Sequence, residues 1–365
     1  MNKHLSLGLN IIRVIACLTV FMLHSTIFEP QIYELMSNPN LFFLYPSAWA
    51  GVWIFFVIGG FLAGYSFSSG KYTYSMNGVL TYYRKRLEKT IVPTVCFILF
   101  CYLMVYTVDI NEFLTVIIKF ITFRYKGIPG SDGISATWYV STLLFFYIIS
   151  PAVCYLFEKI RCINENLPLY LLPILIILGA IFRFFAYKYQ LDWNSVVYTP
   201  WYFNIDLFLG GIIVAYCPKC NIREVYSKLF RYVTFIVLIM VVLINAFFQR
   251  KMVFEADSNS AVLCLYGFQS IYLIIISLFI FSHQCEDEQY SKHFPLIEKI
   301  IKRASSITFE FYLFHSLVLH LWSAYILSYV DATKCGGHFI YLIIVALITI
   351  ILSYGYHKIF ANLSQ

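Results

Sequence analysis

The chain reads as a succession of apolar runs, each near twenty residues, separated by short segments that hold most of its charge. A run of that length is what an α-helix needs to cross the roughly 30 Å hydrocarbon core of a bilayer. Ten such helices are predicted, over 7–28, 49–67, 91–108, 137–157, 168–187, 201–217, 232–249, 261–282, 305–328 and 338–357. A weaker apolar run over 112–124 carries Lys119 and is short for a crossing, so an interfacial or re-entrant helix is expected there. The longest polar segments on the N-terminal side are 68–90 and 283–304. No repeat, Gly/Ser linker or soluble appendage breaks the pattern, and residues 1–365 are expected to form a single transmembrane domain.

The fold class is therefore all-α integral membrane. Composition agrees: 60% of residues are hydrophobic and 12% charged, with a mean hydropathy of +0.75, whereas a soluble domain is about 25% charged. An aromatic share of 19% suits Phe-rich helices with interfacial belts of Tyr and Trp. Charge sets the orientation. Of 26 Lys and Arg, 17 fall in segments on the N-terminal side and 7 on the other, which places both termini in the cytoplasm. The net charge of +7 does not indicate nucleic acid, because the cations lie between apolar runs, where membrane lipid is the partner. The ten cysteines are mostly inside those runs, as small hydrophobes, and no disulfide framework is indicated. CPKC at 217–220 has neither a second Cys pair nor histidines at ligand spacing, so no metal is expected.

Within LGLNIIRVIACLTVFMLHS, residues 7–25, Arg13 and His24 stand eleven residues apart. On a helix that is about 16 Å of rise with both groups on nearly the same face. Ionisable groups inside a span face protein or water and commonly act there. These two residues, and the lack of a small-x-small cleavage site, argue against a cleaved signal peptide. His24 suits a general base that takes a proton from an attacking hydroxyl; packing against a backbone carbonyl is the bland alternative. Arg13 suits a bidentate clamp on phosphate or carboxylate, or a partner for a buried acid such as Glu310.

The other ionisable residues within apolar segments are Arg183, Asp206, Glu310 and His315. The acids read as helix-to-helix anchors, paired or protonated. His315 lies five residues from Glu310, about 140° around the helix, so those two do not share a face. Arg183 is near a helix end and is expected to snorkel to the interface. In YYRKRLEKTIVP, residues 82–93, Arg86 and Lys89 precede a helix expected to open at Pro93. A cationic helix N-terminus at the cytoplasmic face is a phosphate site; charge that sets topology is the alternative.

Taken in order, these strings resemble the acyltransferase-3 family of integral-membrane acyltransferases over almost the whole chain. RVIACLTVFMLH is similar to the family's R-x10-H, and VWIFFVIGGFLAGY (52–65) to its FFVISGFL element. RKRLEKTIVP is similar to its basic stretch ending in Pro, and ATWYVSTLLFFYIISP (136–151) to its W-[YF]-L segment. FNIDLFLGGIIVAY and ITFEFYLFHS complete the series. The resemblance implies transfer of an acyl group, usually acetyl from acetyl-CoA, to a sugar hydroxyl of a surface polysaccharide or lipid-linked glycan, in the inner (cytoplasmic) membrane of a bacterium. It makes His24 the candidate base with Arg13 its essential partner, and Arg86 and Lys89 the candidate contacts to the donor's phosphates. Trp138 and His315 match later signature positions and, with Glu310, are candidate substrate-binding residues. Gly59 stands where the family usually has Ser, and Lys89 where Arg is commoner, giving up bidentate geometry. A glycan transporter and a silent membrane scaffold are the alternative classes.

Overall fold

The computed structural model describes residues 3–27, 37–104, 110–125, 134–218, 224–284, 295–331 and 334–363; among these there is no strand. The helices are α1 (Lys3–Ile27), α2 (Ala48–Ser68), α3 (Met76–Arg86), α4 (Val92–Met104), α5 (Ile110–Ile121), α6 (Trp138–Ile163) and α7 (Leu167–Lys188). They continue with α8 (Trp201–Tyr216), α9 (Glu224–Phe254), α10 (Ser258–Gln284), α11 (Pro295–Ser306), α12 (Thr308–Leu327) and α13 (Cys335–Leu363). A helix lies at each of the ten predicted positions, and seven helices are long and apolar enough to cross a membrane. The other three are α4, α8 and α12, with 13, 16 and 20 residues. Both α8 and α12 run through the interior; α8, with buried Asn204 and Asp206, is too short by itself, and α12 carries buried Glu310 and His315, which lower its hydropathy.

α2 is the central helix. Its Gly60 packs on the backbone of α8 and Gly211 of α8 on the backbone of α2: an added Cβ on Gly60 would overlap the Phe208 carbonyl, and one on Gly211 the Val57 carbonyl. With little hydrophobic drive between helices in lipid, such small-residue contacts let backbones approach and gain dispersion energy. Around this seam Trp53, Phe56, Phe61, Phe146 and Phe208 are fully buried, and Phe146 stacks on Phe208 at 4.7 Å. At the periphery α7 exposes Ile174, Ile177, Ile181 and Phe182, and α13 exposes Ile343, Leu347 and Ile351. Such faces suit hydrocarbon rather than water.

α2 ends at Ser69 and Gly70, the latter in the left-handed conformation that glycine adopts without strain. α3 is capped by Ser75, whose hydroxyl accepts from the Gly78 amide at 3.2 Å. The expected helix start at Pro93 is not observed. α3 runs into α4 through a π turn, Leu87–Ile91, closed by the Val92 amide on the Leu87 carbonyl. Its wider i→i+5 spacing carries the helix through a proline that has no N–H to give. There is consequently no free helix N-terminus beside Arg86 and Lys89, and any anion there is held by side chains.

The expected loop 283–304 contains α11, amphipathic with Leu296, Ile297 and Ile300 exposed. The run at 112–124 forms the short amphipathic α5. Ser305 donates to the Asn10 side chain at 2.9 Å and Tyr356 to the Pro93 carbonyl at 2.5 Å. The start of α1, the start of α4, the end of α11 and the end of α13 thus meet at one end of the bundle.

Candidate active site

At that end lies an open cavity of about 1090 Å³. Arg13 of α1 reaches it from one side, Lys71 from beyond α2, and Lys85, Arg86 and Lys89 from α3 and the π turn. α6 contributes Tyr139 and Tyr147, α12 contributes Glu310 and Tyr312, and α13 contributes His357. Five Lys and Arg therefore face two carboxylates, Glu88 and Glu310. Glu88 is already bonded to Arg84 at 2.7 Å and Lys85 at 3.3 Å, and the Arg84 hydrogen bond holds its carboxyl below the usual range. Arg86 is clasped between the rings of Tyr82 and Tyr147, at 5.2 and 4.9 Å from their centroids. That contact fixes the guanidinium plane and leaves its N–H edges for hydrogen bonding. The result is an electropositive pocket of nucleotide size with aromatic surfaces.

Glu310 accepts a hydrogen bond from His357 Nδ1 at 2.7 Å, tying α12 to α13. His315 makes no contact with it; the two residues have separate partners, as their helix positions predict. Gly59 also lines the cavity.

The inner wall of the cavity is aromatic: Phe55, Tyr139 and Tyr312, with the two tyrosine rings 5.4 Å apart and inclined at 65°. Tyr312 is anchored by its hydroxyl, which donates to the Ala136 carbonyl at 2.9 Å. Behind it lies the second part of the site. His24 Nδ1 stands 2.8 Å from His315 Nε2, with the ring planes 18° apart and their centroids 5.0 Å apart. His315 Nδ1 stands 2.6 Å from the Tyr312 carbonyl. Tyr312 thus contributes its ring to the cavity wall and its backbone to the histidine pair.

The structure gathers Arg13, Arg86, Lys89 and Glu310 in the cavity and joins His24 to His315. It does not bring Arg13 and His24 together: Arg13 lines the cavity, and His24 lies three helical turns further along α1. No ion pair joins Arg13 to Glu310 among the described residues. Trp138 is buried outside the cavity lining, 4.8 Å from the Tyr198 ring, and its neighbour Tyr139 takes the cavity position. Sequence reading overlooks Tyr139, Tyr147, Tyr312 and His357. The tyrosines are hidden among 30 in the chain, but His357, a titratable residue at the end of the last apolar run, is a signal that could have been used.

Arg183 corrects its expectation. Instead of snorkelling it is 1% exposed, bonded to Asp206 at 2.8 Å and Ser270 at 2.6 Å. Pointing inward gives the buried acid a partner, which outweighs hydrating the guanidinium at the interface.

No group of three or more His, Cys, Asp or Glu stands at metal-holding distance among the described residues. CPKC extends over residues 219 and 220, which lie outside them.

No curated protein and no solved structure matches the chain. A family model described as an acyltransferase domain matches residues 6–358, spanning the cavity, both histidines and nearly every helix. The chain belongs to the acyltransferase-3 family.

Proposed function

We propose that this multi-pass membrane acyltransferase is an O-acetyltransferase of the bacterial inner membrane, moving acetyl from acetyl-CoA to a sugar hydroxyl of a surface polysaccharide or lipid-linked glycan. The observation that carries this reading is Tyr312, which puts a phosphate-suited cavity on one side of a ring and a histidine pair on the other. The 3′-phosphate and diphosphate of CoA are complementary to Arg13, Lys71, Arg86 and Lys89, which form charge-assisted hydrogen bonds with such groups. With the cavity at the cytoplasmic end, these residues hold the donor where CoA is found, and the pantetheine arm extends toward the aromatic wall. Rotation of the Tyr139 ring, with Tyr312 held in place by its hydroxyl, then opens a path to His24.

His24 acts as base. As the sugar oxygen bonds to the thioester carbonyl carbon, His24 takes the hydroxyl proton. The C–S bond then breaks, the sugar ester forms, and the CoA sulfur receives the proton, giving one ester and one thiol per thioester consumed. The thioester is already activated, so a base and donors aimed at the developing oxyanion account for catalysis. Glu310 lines the same cavity, and Trp138 meets the cavity residue Tyr139 edge-on, with ring centroids 6.4 Å apart.

The test uses membranes holding wild-type protein or His24→Ala at equal abundance, with labelled acetyl-CoA and host surface glycan. The expected result is alkali-releasable label in the glycan with wild type, reduced about 10²- to 10⁴-fold in the variant. Equal label in both overturns His24 as base, and no label in either overturns the acetyltransferase.

A further inference from the structure

A base is only as good as the nitrogen that carries its lone pair, and the hydrogen bonds of the histidine pair decide which nitrogen that is. The Tyr312 carbonyl can only accept, so His315 Nδ1, 2.6 Å away, carries a hydrogen. A neutral imidazole has one N–H, so His315 Nε2 presents a lone pair. It lies 2.8 Å from His24 Nδ1. Two lone pairs do not approach that closely, so His24 Nδ1 carries the hydrogen and donates it to His315. The free lone pair of His24 is therefore on Nε2. Both rings are buried, and no carboxylate bonds to either among the described residues, which favours the neutral pair over a cation.

We infer that His315 is a positioning residue that holds His24 in its Nδ1–H tautomer, reading the orientation of the Tyr312 carbonyl and passing it to the base. This rests on the reading of His24 as the base. The assignment of tautomer by the bond the other nitrogen makes is a general property of histidine. Here the ultimate reference is a backbone carbonyl in place of an aspartate. Two features make it rigid: Tyr312 is pinned through its hydroxyl to Ala136, and the carbonyl belongs to the same helix as His315. When His24 Nε2 takes the sugar proton, Nδ1–H still donates to His315, so the imidazolium keeps its partner and no second proton moves. His315 touches neither substrate in this arrangement, and it does not line the donor cavity.

The experiment reads tautomer and turnover separately. Full-length protein with ¹⁵N-histidine is reconstituted in nanodiscs, and the His24 signal is identified among the 8 histidines by its loss in His24→Gln. Wild type is expected to show the ring-nitrogen shifts and couplings of the Nδ1–H tautomer at His24. In His315→Leu, with no acceptor, the signal moves toward the Nε2–H form that free imidazole prefers. Acetyl transfer falls about 100-fold or more, in kcat and not in KM for acetyl-CoA. His315→Gln can turn its amide oxygen to His24, keeps the Nδ1–H signature, and recovers transfer to within about tenfold of wild type. An Nε2–H signature at His24 in wild type overturns the inference, as does a His315→Leu protein with unaltered tautomer. The spectrum does not depend on turnover, so a protein that shows the expected tautomer but transfers no acetyl disproves the acetyltransferase reading instead.

Discussion

Arg183 of α7 and Asp206 of α8 meet at 2.8 Å, although α7 otherwise lies on the outside of the bundle with most of its surface exposed. Ser270 and Gln269 of α10 complete the arrangement, Ser270 accepting from Arg183 and Gln269 donating to Asp206 at 3.2 Å. Three helices are thereby fixed in rotation about their axes, which apolar contacts with lipid cannot do. Removing one partner strands the other charge in the interior, at a cost of about 3–5 kcal/mol. Arg183→Ala is expected to lower the thermal unfolding midpoint in nanodiscs markedly, while Arg183→Leu combined with Asp206→Leu loses much less. A double variant as damaged as the single ones would show that shape, not charge, holds these helices.

Gly59 and Gly60 are adjacent in sequence and opposite in consequence. A Cβ on Gly60 would overlap the Phe208 carbonyl, whereas one on Gly59 would meet nothing closer than Leu143 Cδ1 at 3.5 Å. Gly60→Ala should force α2 and α8 apart, costing at least the roughly 1–3 kcal/mol of ordinary overpacking. Gly59→Ala should leave folding unchanged. Since Gly59 lines the cavity, Gly59→Leu should fold and, on the proposal that acetyl-CoA binds there, raise KM for acetyl-CoA. Unfolding curves for the two alanine variants, measured side by side, check the contrast.

If CoA phosphates sit among Arg13, Arg86 and Lys89, truncating these side chains raises KM more than it lowers kcat. A charge-assisted hydrogen bond is worth about 1.5–3 kcal/mol, so Arg86→Ala should raise KM for acetyl-CoA roughly 10- to 100-fold. Arg86→Lys should recover little of this, because an ammonium cannot keep the planar contact between Tyr82 and Tyr147. Lys89→Arg, which offers a second hydrogen bond, should bind the donor at least as well as wild type. An Arg86→Ala enzyme with unchanged KM would move the phosphates elsewhere.

The extent to which the sequence discloses this arrangement follows from the range of each interaction. Apolar runs declare their own helices, and Arg13, His24, Arg86 and Lys89 stand out because charge is rare inside or beside them. What these residues touch is a tertiary matter. His24 and His315 are 291 residues apart, and no local period links them. The inward turn of Arg183 depends on an acid on the next helix, and helix-end position alone predicts the opposite. Pro93 reads as a helix start because a proline usually is one, and the π turn that absorbs it leaves no mark in composition. The aromatic wall is concealed by abundance: with 30 Tyr and 35 Phe, the few that line a cavity cannot be told from those that pack.

Glu310 decides between anchoring and binding. Its Oε1 accepts from His357 Nδ1 at 2.7 Å, and the carboxylate belongs to a cavity otherwise rich in cations. As an anchor, it repels an incoming phosphate and is retained for its tie to α13. Glu310→Gln keeps the tie, since the amide oxygen still accepts from His357, and removes the charge. A charge at several ångströms in a hydrated cavity is worth about 0.5–1 kcal/mol, so KM for acetyl-CoA should fall about two- to fivefold at low ionic strength. The gain should fade at high salt, where screening removes the repulsion. If Glu310 instead receives hydrogen bonds from the donor, the same substitution raises KM, and the increase persists in salt. Steady-state kinetics at two ionic strengths separate these outcomes with one conservative variant, while His357→Ala reports the tie itself as lost thermal stability.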